Sequence, residues 1–156
     1  VTEQEPRWLD DEEMRAWRNY VVGASMLADR LHRELQDGHG VSLPDYEVLV
    51  RLSERRGLRM RMSQLADEVA SSKSRVSHQV ARMEREGLLR RLECPEDGRG
   101  VFAELTDKGM ALLEASAPTH VEGVREHMID LLSREEQEVM ATVFTRVIAH
   151  LRQLDR

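Results

Sequence analysis

The chain lacks most of what enzymes, secreted domains and membrane proteins rely on. It has one cysteine, Cys94, in 156 residues. That excludes an intrachain disulfide and fits a reducing compartment. Two Trp, two Tyr and two Phe are too few for a platform that stacks the bases of single-stranded nucleic acid. No apolar run reaches membrane length and no stretch has the form of a secretory signal. A cytoplasmic protein with no membrane partner is therefore expected. There is no glycine-rich phosphate loop and no nucleophile elbow. Asp, Glu and His are plentiful but fall on expected helix surfaces, so an enzyme is not expected. His32, His39, His78, His120, His127 and His150 show neither Cys-x-x-Cys nor His-Glu-x-x-His spacing, so neither a metal nor another cofactor is expected.

Charge is short on the positive side, with a net of −6, but it is unevenly spread. Residues 51–100 hold 12 Arg and Lys against 8 Asp and Glu, and the rest of the chain holds 11 against 21. Distribution, not the total, sets an electrostatic footprint. The middle segment can therefore meet a polyanion although the protein is acidic. The acidic remainder either keeps a polyanion off the other side or serves solubility.

What the middle segment contains is a short helix, a turn, a longer helix, a strand, a tight charged turn and a second strand. Ser63 is placed to cap the short helix, with Leu65, Ala66, Val69 and Ala70 inward. Ala70-Ser71-Ser72 forms the turn. Ser72 caps a helix from about Lys73 to Glu86, and Gly87 stops it in a left-handed conformation, with Leu88 folding back on Met83. Val76, Val80 and Met83 make one inward stripe. Ser74, His78 and Arg85 fall opposite it, and Arg75, Ser77 and Arg82 flank it. Short hydrogen-bonding side chains and long cations, with no aspartate, suit a helix in a major groove, where bases offer donors and acceptors and phosphates line the rim. Leu88–Cys94 and Val101–Leu105 read as strands around Pro95-Glu96-Asp97-Gly98-Arg99-Gly100. Asp97 can orient Arg99 toward a minor groove; the other reading of so charged a tip is plain solvation.

The order SQLADEVA, SKSRVSHQVARMEREGLLRR, ECPEDGRGVFAELTDKG resembles the MarR family of bacterial transcription regulators. The D-x-R-G wing signature stands here as Asp97-Gly98-Arg99-Gly100, and the following LT-x-x-G as Leu105-Thr106-Asp107-Lys108-Gly109. The likeness covers nearly the whole chain. It implies a mainly α winged helix-turn-helix with a small antiparallel β-wing, acting as a homodimer on a double-stranded operator, nucleoid-associated when bound. Repression relieved by a small aromatic or phenolic effector is the family's common habit. The DNA-facing set is then Ser63, Ser72, Lys73, Ser74, Arg75, Ser77, His78, Gln79, Arg82 and Arg85, with Asp97 and Arg99 from the wing. Peroxide sensors of the family carry their reactive cysteine in the first helix; this chain has none there, and Cys94 at the wing base reads as a small packed residue. The reading from another class is a winged helix that contacts proteins and has no operator.

Flanking segments read as dimerisation helices at 8–38 and 107–156 around a DNA-binding region at 42–106, all in one domain. Asp10 to Glu13 open the first helix, with Trp17, Tyr20, Val21, Ala24, Leu27, Ala28, Leu31 and Leu35 on one face. Gly38 and Gly40 end it. Ser42, Pro44 and Asp45 open the second, with Asp45 completing a capping box on Ser42; residues 46–53 are apolar on most sides. Leu58–Met62 can add a third strand. Thr106 caps a long helix that Pro118 should bend or interrupt. Ser133 and Glu136 box the last helix, whose apolar face from Val139 to Leu154 has no core left to meet. A second subunit is the economical cover. Trp17, Tyr20 and Tyr46 stand under two readings: lining of an effector pocket with Arg18 or Arg51 for an anion, or core aromatics.

Overall fold

The computed structural model describes residues 5–93 and 100–154. Among them are six α-helices, α1 (Asp11–His39), α2 (Leu43–Ser53), α3 (Met62–Glu68), α4 (Lys73–Arg85), α5 (Asp107–His127) and α6 (Arg134–Leu154), and three strands, β1 (Arg59–Arg61), β2 (Leu89–Glu93) and β3 (Val101–Leu105). The strands form one antiparallel sheet in the order β1-β3-β2. This is the expected mainly α winged helix-turn-helix, third strand included.

Local chemistry sets most of the boundaries. Asp10 caps α1 and Glu13 bonds back to its backbone, while Gly40 closes the helix at φ 67°. Gly38 lies inside α1, so only the second glycine terminates it. Ser133 and Glu136 exchange the expected reciprocal bonds at the start of α6 (2.7 and 3.2 Å). At the end of α4, Gly87 sits at φ 78°; its N–H bonds the Glu84 carbonyl and that of Leu88 the Met83 carbonyl. This paired closure needs a left-handed residue at the glycine position.

Two local expectations fail, and a third is narrowed. Ser63 does not cap α3, which begins one residue earlier behind Arg61 with no side-chain cap. Pro118 does not interrupt α5, which continues through it to His127. Asp45 does not complete a capping box: Ser42 accepts from the Asp45 backbone, but the Asp45 carboxylate takes no bond from the Ser42 backbone N–H and turns mainly toward α4.

The core lies between α2, the helix-turn-helix and the sheet. Val48, Leu49, Leu52, Leu65, Val76, Val80, Met83, Leu89 and Ala103 are buried there, joined by Leu35 from α1 and Leu113 from α5. The two long helices run antiparallel, since α5 meets α1 at Thr119–His39 and again at His127–Glu34 (2.8 Å each). By contrast α6 buries no residue within the chain. Val139, Val147, Ile148, Leu151 and Leu154 are exposed, as are Trp17, Tyr20 and Val21 on α1.

The LT-x-x-G motif acquires a physical reason at the root of α5. Leu105 is buried. The Thr106 hydroxyl donates to the Gly87 carbonyl at 2.7 Å, with that of Leu88 2.9 Å away, and accepts from the Gly109 N–H. A Cβ on Gly109 would stand 2.2 Å from the Leu88 carbonyl oxygen and 2.7 Å from a Leu105 methyl. The first turn of α5 thus lies directly on the end of α4, and only glycine permits it.

Gly109→Ala should therefore lose about 1–3 kcal/mol of stability through overpacking. Gly38→Ala, with open space around its Cβ position, should be neutral or gain up to about 1 kcal/mol by helix propensity. Urea unfolding of the two variants checks this, and equal midpoints would refute the close-approach argument.

Candidate nucleic-acid interface

The helix-turn-helix is built by α3 and α4, joined at Ala70, which takes φ 50°. A non-glycine residue in that region is uncommon. The Ser71 N–H donates to the Ala66 carbonyl there. Ser72 then caps α4 by accepting from the Arg75 N–H. Val76, Val80 and Met83 are fully buried, so the opposite side of α4 must face away from the protein.

That side carries Ser74, His78 and Arg85, flanked by Lys73, Arg75 and Ser77, all exposed. Among the described residues none of these six side chains has a hydrogen-bond or ion-pair partner. The one acidic residue within α4, Glu84, lies off this face and is held by Arg91: the backbone N–H donates at 3.0 Å and Nε at 2.8 Å. Those two bonds, backbone first, keep the Glu84 carboxyl below the ordinary glutamate range. The face therefore presents donors, acceptors and uncompensated positive charge.

Gln79 and Arg82 are placed differently from the rest of the expected set. Asp45 of α2 is buried, and its carboxylate accepts from Gln79 Nε2 at 2.9 Å and from Arg82 at 2.7 and 2.9 Å in a two-pronged arrangement. Burial by itself would raise the Asp45 carboxyl; the bonds from Arg82, Gln79 and Ser42 outweigh it and hold the group below the usual aspartate value. Glu86 adds a weaker contact to Arg82 at 3.4 Å. So Gln79 and Arg82 tie α4 to α2 instead of standing on its open face. The sequence signal for this is local and misleading, since Asp45 sits three residues after a capping serine. A cleft of about 360 Å³ opens over this tie, with walls from Gln36, Val41, Asp45, Arg82 and Leu112.

Ser63 lies beside Lys73 and Ser77 on a second cleft, of about 300 Å³, between the start of α3, the start of α4 and the wing root. Arg61 and Arg91, which sequence reasoning did not single out, complete its walls. Asp97, Arg99 and Cys94 lie outside the described residues.

The expected effector-pocket residues are not gathered in one place. Trp17 and Tyr20 are 6.0 Å apart between ring centres, and Tyr20 meets Phe144 of α6 at 5.2 Å. Tyr46 is a core residue whose ring stands 4.5 Å from that of His120. Along α1, about 20–30 Å of helix axis separates Tyr20 from the levels at which α5 meets Glu34 and His39. Arg51 pairs with Glu54, and Arg18 is exposed. The two clefts above have other walls. Among the described residues no three His, Cys, Asp or Glu side chains converge as a metal site, and no helix is long and apolar enough to cross a membrane.

Comparison with known proteins gives the same picture at several levels. Residues 41–101 match the model of the MarR family. AbsC, a MarR family transcriptional regulator from Streptomyces coelicolor, is 44% identical, with a TM-score of 0.91 over 95% of this chain and 99% of that one. Sco3205, from the same organism and solved in complex with DNA, is 42% identical, with a TM-score of 0.90 over 92% and 94% of the two chains. The transcriptional regulator PecS of Dickeya dadantii (strain 3937) is 30% identical over 93% of this chain and 96% of its own.

Arg82→Ala should behave chiefly as a stability variant. It leaves a buried carboxylate without its main partner, a loss of roughly 1–3 kcal/mol once the half-exposed arginine is discounted for solvent. The pH dependence has a definite sign. Asp45 binds its proton less readily folded than unfolded, so the tie contributes fully above the unfolded value near about 3.9. Its contribution fades as pH falls through that value toward the lower folded one. Acid unfolding curves should show that arm in the wild type and a reduced one in Arg82→Ala. Identical curves would mean the tie contributes nothing.

Proposed function

Because the chain belongs to the MarR family of transcriptional regulators, we propose that it is a homodimeric repressor that reads a palindromic operator in duplex DNA through the open face of α4. The observation that carries this reading is that face itself: six exposed polar or cationic side chains without protein partners among the described residues, backed by a fully buried stripe. Ser74, Arg75, Ser77 and His78 in its first two turns are the base-reading candidates, because the N-terminal part of a recognition helix reaches base edges. Ser63, Ser72, Lys73 and Arg85 are candidates for the backbone, and Asp97 and Arg99 for the adjacent minor groove. Gln79 and Arg82 leave this list for the α2–α4 tie.

Homodimerisation is supported by α6, which finds no core of its own, and by the exposed apolar face of α1 beside it. Release by a small aromatic or phenolic effector completes the proposal. The organohalide-sensing regulator RdhR-CbdbA1625, a fold neighbour at 21% identity, has been solved in a 2,4-dichlorophenol-bound form. The expected pocket residues Trp17, Arg18, Tyr20, Tyr46 and Arg51 remain one candidate site for such a ligand, and the cleft over Asp45 and Arg82, which borders the tie that orients α4, is a second.

Selection from a random duplex pool tests the function directly. A palindrome with half-sites about one helical turn, roughly 34 Å, apart is expected. Arg75→Ala should relax base preference at mirrored positions, by about 1–3 kcal/mol each. Arg85→Ala should weaken all sequences alike and flatten the salt slope. Uniform loss in both, with the selected motif intact, would mean that α4 positions the protein without reading it. A flat salt slope in the wild type would favour a protein-binding winged helix.

Sedimentation at micromolar concentration should give a dimer. Deleting residues 139–156 should give monomeric or insoluble protein instead of a clean DNA-binding defect. A wild-type monomer that occupies a full palindrome would end the dimer reading.

A further inference from the structure

The cleft at the wing root is walled by groups that the reading helix alone does not explain. Arg61 comes from the edge strand β1, Arg91 from β2, and Lys73 from the first turn of α4, with the hydroxyls of Ser63 and Ser77 between them. The sheet register shows how Arg91 reaches it. Leu89 is buried on the core face of β2, and the pleat puts Arg91 on that same face one step further out, opposite Ala103. There the sheet overhangs the start of α4. Glu84 fixes Arg91 through its backbone N–H and Nε, and among the described residues its terminal guanidinium nitrogens donate to no protein group. Arg61 leans over the ring of Phe102, 5.6 Å from its centre. Both cations are thus steered by neighbours; Glu84 offsets part of the Arg91 charge but leaves its terminal guanidinium nitrogens to donate outward.

Duplex geometry says what belongs in such a place. A helix in a major groove and a wing in the next minor groove straddle the sugar-phosphate ridge that separates the two grooves. The junction between α4 and the wing must face that ridge. We propose that this cleft seats a backbone phosphate of the duplex, held between Arg61, Arg91 and Lys73, with Glu84 as the residue that positions Arg91. The proposal rests on the DNA-reading function stated above. It adds Arg61 and Arg91 as phosphate-binding groups that fix the register of α4 in the groove while carrying no sequence information themselves.

The test is equilibrium binding of full-length protein to a selected and to a scrambled duplex over a series of salt concentrations. Arg61→Gln and Arg91→Gln should each weaken both duplexes by the same factor. Each should lower the salt slope by about 0.9 for every phosphate no longer neutralised, and by twice that in a symmetric complex where both subunits carry the change. Arg61→Lys and Arg91→Lys should restore most of the slope, which a merely structural role for either arginine would not do. Thermal unfolding of the Gln variants should keep one cooperative transition well above the assay temperature, with at most the small shift that loss of an exposed ion pair gives, separating a weakened hold on phosphate from misfolding. Unchanged affinity and slope in both Gln variants, beside a steep wild-type slope, overturns the seat and leaves the DNA reading standing. So does a change in base preference, which would make these residues readers. Absence of any salt-dependent duplex binding by the wild type overturns both.

Discussion

The orientation of α4 against the rest of the protein is tied to one buried carboxylate. Asp45 is nearly inaccessible, yet it stays charged because Arg82 and Gln79 of α4 surround it with three bonds. A lone charge in such a place is costly, so the arrangement tolerates little drift: the partners must be in position or the penalty returns. The apolar stripe of Val76, Val80 and Met83 decides which side of α4 faces in, but an apolar contact is non-directional. The two-pronged bond adds the rotation and the sliding position of α4 against α2. α2 in turn packs on α1 and α5. The open face of α4 and the long terminal helices are therefore held in one frame.

Much of this is legible in the sequence because much of it is local. The spacing of Val76, Val80 and Met83, the caps at Asp10, Ser42, Ser72, Thr106 and Ser133, and the stop at Gly87 all act within a few residues. The third strand is readable from its short extended character next to α3. What escapes is long-range. Asp45 meets α4 some 37 positions away, and nothing near it in sequence marks that partner; the serine three residues before it suggests a purely local role. The angle of Arg82 around its helix does not reveal that a carboxylate lies off that flank. Pro118 shows the limit of a residue rule: its ring removes one N–H, but packing along α1 keeps α5 continuous. Of the aromatics, Tyr46 is in the core, while Trp17 and Tyr20 are exposed beside α6 and are not core residues.

The same contrast separates the two halves of the molecule. The middle segment satisfies its own apolar faces, and its polar surface is what remains for a partner. In the terminal helices the balance is reversed, with aliphatic side chains in the open along α6 and the first half of α1. Charge follows the division too, since the acidic excess lies outside residues 51–100. Such a distribution would favour one direction of approach for a polyanion over others.

The strand order has a consequence for how this unit comes together. β3 is the middle strand, pairing with its hairpin neighbour β2 on one side and with β1 on the other. Joining β1 to β3 closes a loop that contains α3, the turn, α4 and β2. For a slack chain of roughly 40 residues, bringing such ends together costs about 3 kcal/mol of entropy, too much for a three-residue strand to repay. Once the two helices have taken up the slack, little chain is left to order. The shortest strand is thus a clasp: it gives the core a single buried side chain, Met60, but it turns an open string of elements into a closed ring whose parts come apart together.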